Sequence, residues 1–201
     1  MLLFLGIALV ALVVSEARPF LTVNDPVSSD ILVIEGWLPD EVLQGIKNEI
    51  TRGHYHKILV TGGPLGAGKI LCGYTTWAEL SAATLIRLGV NPTTVEALPA
   101  AKVSRDRTYA SAVALHFWLH RHQIDGTSLN IVTVAEHSRR TRLLFSKALG
   151  RDYHVGIISI DNPEYDPNRW WKSSEGVRSV IGELLAYGYA RLLFWPPAQV
   201  T

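Results

Sequence analysis

Cysteine is almost absent from this chain. Its 201 residues include one, Cys72, so neither an intramolecular disulfide framework nor a multi-cysteine zinc site can form. A surplus of charge is missing too: 19 Lys and Arg face 18 Asp and Glu, for a formal net charge of +1. A dedicated nucleic-acid binder is usually basic, so the balance argues against one. There is no internal repeat and no low-complexity tract. What the chain does have is apolar content, 48% of residues, enough for one α/β domain of this length to bury a full core.

No apolar run reaches the roughly 20 residues that a membrane-spanning helix needs. The run Leu2 to Val14 falls short and is interrupted by Glu16 and Arg18. It supports an uncleaved membrane anchor, a cleaved signal with Ser15-Glu16-Ala17 as the small-residue site, or a buried helix. No basic region precedes it, which disfavours the signal, and the anchor is the preferred expectation. Residues 1–21 are therefore expected to form an anchor or signal segment, and residues 28–195 one domain.

In that domain strand-like and helix-like segments alternate. Ile31 to Ile34 is a continuous apolar run that stops at Glu35-Gly36, the pattern of a buried parallel strand. Further strands are expected from Lys57, Val95, Leu129 and Val155. Helices are expected after Pro39-Asp40, from Trp77 to Leu88, from Tyr109 to His122, from Arg139 to Leu149 and from Val177 to Phe194. Gly89 and Gly150 close two of them. The alternation predicts a Rossmann-like α/β fold: a three-layer sandwich around a mainly parallel central sheet, preceded by the N-terminal hydrophobic helix. Asp161 to Ser174 reads as a long polar loop, a lid or rim.

Strand C-termini share one edge of a parallel sheet, and ligands bind there in open α/β folds. Glu35-Gly36, Thr61-Gly62-Gly63 and Glu136-His137 should meet on that rim. Arg105-Asp106-Arg107-Thr108 opens a helix on the same edge, with Asp106 or Ser104 as cap. Helix N–H groups favour an anion there. His137, Arg139 and Arg140 add cations, but adjacent arginines point to different helix faces, so one is expected inward and the other in solvent. The expected ligand is small and anionic or nucleotide-like. Glu35 and His137 are the acid/base candidates; Gly36, Gly62, Gly63, Glu79, Arg105, Asp106, Thr108, Arg139 and Arg140 are ligand-binding candidates. Each also has a bland reading. Glu35 can be an ion-pair partner, Gly62-Gly63 a tight turn, His137 a local pair, and Glu79 a structural carboxylate with an arginine partner.

Two patterns carry less than they promise. Gly63 to Ile70 approaches the phosphate-loop pattern, but Ile70 stands where a magnesium-binding hydroxyl is required, and Gly73 interrupts the helix that should follow. His116 and His120 lie four apart on a helix but lack the glutamate of a zincin, so no metal site is expected.

The ordered set Glu35-Gly36-Trp37-Leu38-Pro39-Asp40, Thr61-Gly62-Gly63-Pro64, Tyr74 with Ala78-Glu79, Arg105 to Ala112, and His137-Ser138-Arg139-Arg140-Thr141 resembles the YdcF/SanA/ElyC-like family, a domain-of-unknown-function family. Trp170 to Gly176 resembles an extension found in a subgroup. The resemblance implies a Rossmann-like fold, an N-terminal attachment to the bacterial inner membrane with an extracytoplasmic domain, and a role in envelope and peptidoglycan-precursor homeostasis. It implies no established reaction and no known cofactor; hydrolase, transferase and non-catalytic binding module all remain open. The chain departs from the family where Glu35-Gly36-Trp37 replaces a Leu-Gly-Gly turn. It departs again where Asp106-Arg107-Thr108-Tyr109-Ala110-Ser111 stands for the usual Asn-Thr-x-x-Asn helix start, with asparagine replaced at both ends.

Overall fold

A computed structural model describes all residues except 1, 54, 67 and 197–201; the side chains of 1–5, 7–11, 13 and 69 are likewise outside the description. Most side chains of the N-terminal run, and that of Lys69 in the phosphate-loop-like segment, therefore lie outside the described residues.

Five strands form one parallel sheet: β1 Ile31–Glu35, β2 Lys57–Gly62, β3 Val95–Pro99, β4 Ser128–Val134 and β5 His154–Ile160, in the order β3-β2-β1-β4-β5. The helices are α1 Leu2–Leu21, α2 Asp40–Gly53, α3 Lys69–Cys72, α4 Trp77–Arg87, α5 Arg107–Arg121, α6 Ser138–Leu149 and α7 Ser174–Leu192. Two 3-10 turns, Ala135–His137 and Pro167–Lys172, complete the element order. The Rossmann-like α/β expectation holds, and the strand order reverses between β1 and β4.

Every residue of β1 is buried, so its side chains supply two cores. Ile31 and Val33 point into the cluster formed with α5 and α6; Leu32 and Ile34 point into the one formed with α2 and α4. That two-residue alternation is the pleat, and covering both faces is what makes the run continuously apolar. Each such side chain contributes roughly 1.5–3 kcal/mol by leaving water. On α6, Thr141, Leu144, Phe145, Ala148 and Leu149 repeat at helical spacing and face the first of these cores.

A third cluster lies outside the sandwich: Ala17 and Leu21 of α1 with Tyr165, Trp170 and Val180. Trp170, in the segment expected as a polar loop, is 3% exposed, and its indole N–H donates to Val14 O at 3.2 Å. The tryptophan packs the end of α1 rather than covering the rim. Among the described residues, no helix is long and apolar enough to cross a membrane.

Candidate functional site

The rim at the ends of β1 and β2, next to the β1–β4 switch point, is built by close backbone approach. Gly36 N–H donates to Thr61 O at 2.6 Å, and Ser81 Oγ of α4 donates to Gly36 O. A Cβ on Gly36 would lie 2.7 Å from Trp77 O, and one on Gly62 2.8 Å from Ala78 N. Both glycines are required because the first turn of α4 sits directly on the strand ends. Gly63 has room for a side chain and acts through its carbonyl, which accepts from Trp77 N at 2.9 Å.

That first turn is closed by its own residues. Thr76 caps α4, and Glu79 Oε2 accepts from Thr75 N at 2.9 Å and Thr76 N at 3.0 Å, a capping box. Glu79 thus serves the helix end; neither a ligand role nor an arginine partner follows from its contacts. The start of α5 differs. Asp106 is the N-cap residue but has left-handed backbone (φ 58°), and its side chain makes no cap bond. Ser104 does not occupy the cap position either.

Four charged side chains converge beside this helix start. Glu35, at the end of β1, is 2% exposed, and His137, at the end of the 3-10 turn after β4, is 6% exposed. His137 Nδ1 lies 2.9 Å from Glu183 Oε1 of α7, and Nε2 lies 3.5 Å from Glu35 Oε2 and 3.4 Å from Thr108 Oγ1 of α5. Arg140 grips Glu183 with both Nε and Nη2 at 2.8 Å. Thr141 Oγ1 donates to Glu35 Oε2 at 3.0 Å, and the Trp37 ring meets the imidazole edge-on, centroids 5.1 Å apart.

Charge balance dictates the protonation states. Arg140 Nη2 and His137 Nδ1 are 2.9 Å apart, two donors that stay together because Glu183 Oε1 accepts from both. Burial alone would lower the His137 pKa, but the charges of Glu35 and Glu183 outweigh it and raise it to about 9. Burial would raise Glu183; the Arg140 hydrogen bond and the charge of His137 outweigh it and hold Glu183 at about 2. Glu35 is likewise held below the ordinary carboxylate range, because the charge of His137 more than offsets its burial. At neutral pH the site holds two carboxylates, an imidazolium and a guanidinium.

Of the residues read from the sequence, Glu35, Gly36, Gly62, Thr108, His137 and Arg140 come together. Gly63 and Asp106 border them through their backbones, their carbonyls accepting from Trp77 N and Ala110 N; the other three stand apart. Arg105 is 86% exposed at its side chain, with Asp106 3.7 Å away. Arg139 is not simply solvated as expected: its Nε donates to Phe20 O and its guanidinium covers the Phe20 ring at 4.3 Å, so it clamps α1. Glu79 is at the α4 cap. Glu183 and Thr141 were missed. Glu183 had a signal, since it is the only charged residue between Arg178 and Arg191.

A shallow cavity of about 480 Å3 opens elsewhere, at the start of β5, lined by Arg142, Ser146 and Arg151 to Val155. Its polar groups are largely exposed, and Arg142 already serves Val155 O and Asp25. The buried, charge-coupled rim is the stronger candidate. Among the described residues no group of three or more potential metal ligands is found.

Comparison of the chain with known protein families, curated proteins and solved structures finds no match.

Proposed function

We propose that this is a membrane-attached, YdcF/SanA/ElyC-like protein of the cell envelope that binds a small phosphorylated or nucleotide-like ligand at the β1–β4 rim. In this reading it is a hydrolase or transferase in precursor homeostasis, with His137 as general acid. One observation carries the chemistry: a buried histidine between two carboxylates at the switch point, beside the side-chain-uncapped start of α5. Glu183 holds Nδ1 closely, while Nε2 has only long contacts. Nε2 is thus the nitrogen available to work. A pKa of about 9 keeps it protonated at neutral pH, which suits donation to a leaving oxygen better than abstraction. As the bond to that oxygen breaks, the Nε2 proton moves to it, and water or a second substrate supplies the incoming group and returns a proton. Thr108 and the first N–H groups of α5 would face the anion; Arg105 would add a solvent-side charge.

A specific observation favours a second reading, a non-catalytic binding module. Each of the four charges already has an opposite partner, so the network can serve only to lock α7 to the sheet.

Native mass spectrometry of the gently extracted protein identifies the copurifying ligand. Turnover of that ligand, falling as pH rises through about 9 and abolished in His137→Gln with binding retained, is the enzyme result. Stable binding with no turnover in the parent is the module result. Absence of any anionic ligand, with Arg105→Ala and Thr108→Val binding phosphate and nucleotides like the parent, overturns the ligand site in both readings.

A further inference from the structure

Two neighbouring rim loops have an unusual surface. Residues 63–77 and 99–105 leave the sheet side by side, where Ala100 N–H donates to O of Gly62, the last residue of β2, at 3.0 Å. The first carries Ile70 and Leu71 on the four-residue α3, 91% and 93% exposed. Two aliphatic side chains so fully in water, side by side, are not the scattered exposure expected of any surface. Half-exposed Tyr74, Trp77 and Val103 lie in the same two loops. Neither loop contains an Asp or Glu; their charged residues are Lys69, Lys102 and Arg105. Two carboxylates border the loops: Glu79, bound to Thr75 and Thr76 in the α4 cap, and Asp106, 3.7 Å from Arg105.

We propose that this apolar, basic loop pair is a docking surface for an anionic lipid bilayer, with Ile70 and Leu71 inserting at the headgroup–acyl boundary. Exposed aliphatics at a tip, aromatics in the same loops and cations on loops that carry no carboxylate of their own are the chemistry that a lipid interface recognises. The chain also joins its domain at this end. Arg18 of α1 pairs with Glu136, which follows β4, and Asp161, which follows β5. Any attachment through α1 would therefore hold the same strand ends to the membrane. The proposal stands independently of the chemistry assigned to His137.

The tip carries its own reporter site, because Cys72 is the only cysteine and is exposed. The full chain, labelled there with a polarity-sensitive fluorophore, is mixed with phosphatidylethanolamine–phosphatidylglycerol vesicles, with and without brominated acyl chains. The expected result is a blue-shifted emission, quenched by the bromines. In Ile70→Ser/Leu71→Ser the lipid concentration needed rises about tenfold or more, as the loss of two inserted aliphatics requires. Two results overturn the proposal: a water-like emission while the protein pellets with the vesicles, or no vesicle binding at all. A blue shift without lipid that grows with protein concentration also overturns it, since a second copy would then cover the tip.

Discussion

Glu136 and His137 are neighbours in one 3-10 turn, yet they anchor different kinds of network. Glu136 is fully buried and meets one cation, Arg18 at 3.1 Å, with Ser179 Oγ at 3.4 Å. Arg18 spends its other end on Asp161, whose side chain is 71% exposed. This side is a tie between α1 and the sheet. His137 instead meets two carboxylates, the buried Glu35 and the partly buried Glu183, and shares the second with Arg140. Both sides shift a proton affinity, since burial and Glu136 raise the Tyr165 phenol; on this side the shifted group, His137, titrates at about 9 and can exchange its proton at mildly alkaline pH. The lesson is that burial and charge do not by themselves single out a candidate site; a titratable group poised between opposing partners is the better candidate.

The comparison breaks most sharply at Glu183. Replacing it with alanine leaves Arg140 and His137 facing each other at 2.9 Å without the carboxylate that joins them. Loss of one partner from a fully buried pair costs about 3–5 kcal/mol; Glu183 and Arg140 are each 18% exposed at the side chain, so about 2–4 kcal/mol is expected, and urea denaturation should show it. A loss below about 1 kcal/mol would mean that the network is solvated. Next in size is the pH dependence. His137 titrates near 9 when folded, against about 6.5 unfolded, so its contribution is complete below about 6.5 and disappears as pH rises through 9. At most about 3 kcal/mol is at stake on that alkaline limb. Glu183 has the opposite sense: its contribution is complete above about 4.5 and is lost as pH falls through 2. Stability should therefore plateau between about 4.5 and 6.5 from these two groups, and His137→Gln should flatten the alkaline limb.

Much of the fold was legible, and the reasons are local. The β1 run, the closures at Gly89 and Gly150, both at positive φ, and the α6 periodicity each follow from short-range pattern. The rim position of Glu35 and His137 then follows from parallel topology. What stayed illegible depends on distant contacts. Whether Arg139 or Arg140 turns inward depends on α1 and α7, which contribute Phe20 and Glu183. Glu79 sits in a Thr76-x-x-Glu79 capping box, a local signal that was visible, but its place beside the glycine turn suggested a ligand role instead. The burial of Trp170 depends on Val14, far away in sequence, as well as on Val180 of α7.

The tie on the Glu136 side should break with a smaller effect than Glu183→Ala. Arg18→Ala leaves a fully buried carboxylate with the longer Ser179 contact and the neighbouring Tyr165 hydroxyl, a loss of about 2–3 kcal/mol. The His137 titration should stay near 9, because Arg18 touches none of its partners. A shift of that titration, read by NMR of the imidazole, would show that the two sides of the turn are coupled.

The smallest effect sharpens the same contrast. Asp161 makes the shorter ion pair with Arg18, 2.5 Å against 3.1 Å for Glu136. If distance governed, Asp161→Asn would be the more damaging change on this side of the turn. Burial argues the reverse. An exposed carboxylate is hydrated when its partner is lost and leaves no unpaired charge in the interior, whereas Glu136 has no access to water. Exposed pairs are typically worth 0–1 kcal/mol, and that range already reflects solvent screening. Asp161→Asn should therefore change the urea midpoint by an amount equivalent to about 0.5 kcal/mol or less, and added salt should erase the difference. A loss matching that of Arg18→Ala would place the strength of the α1 tie at Asp161 and not at the buried Glu136.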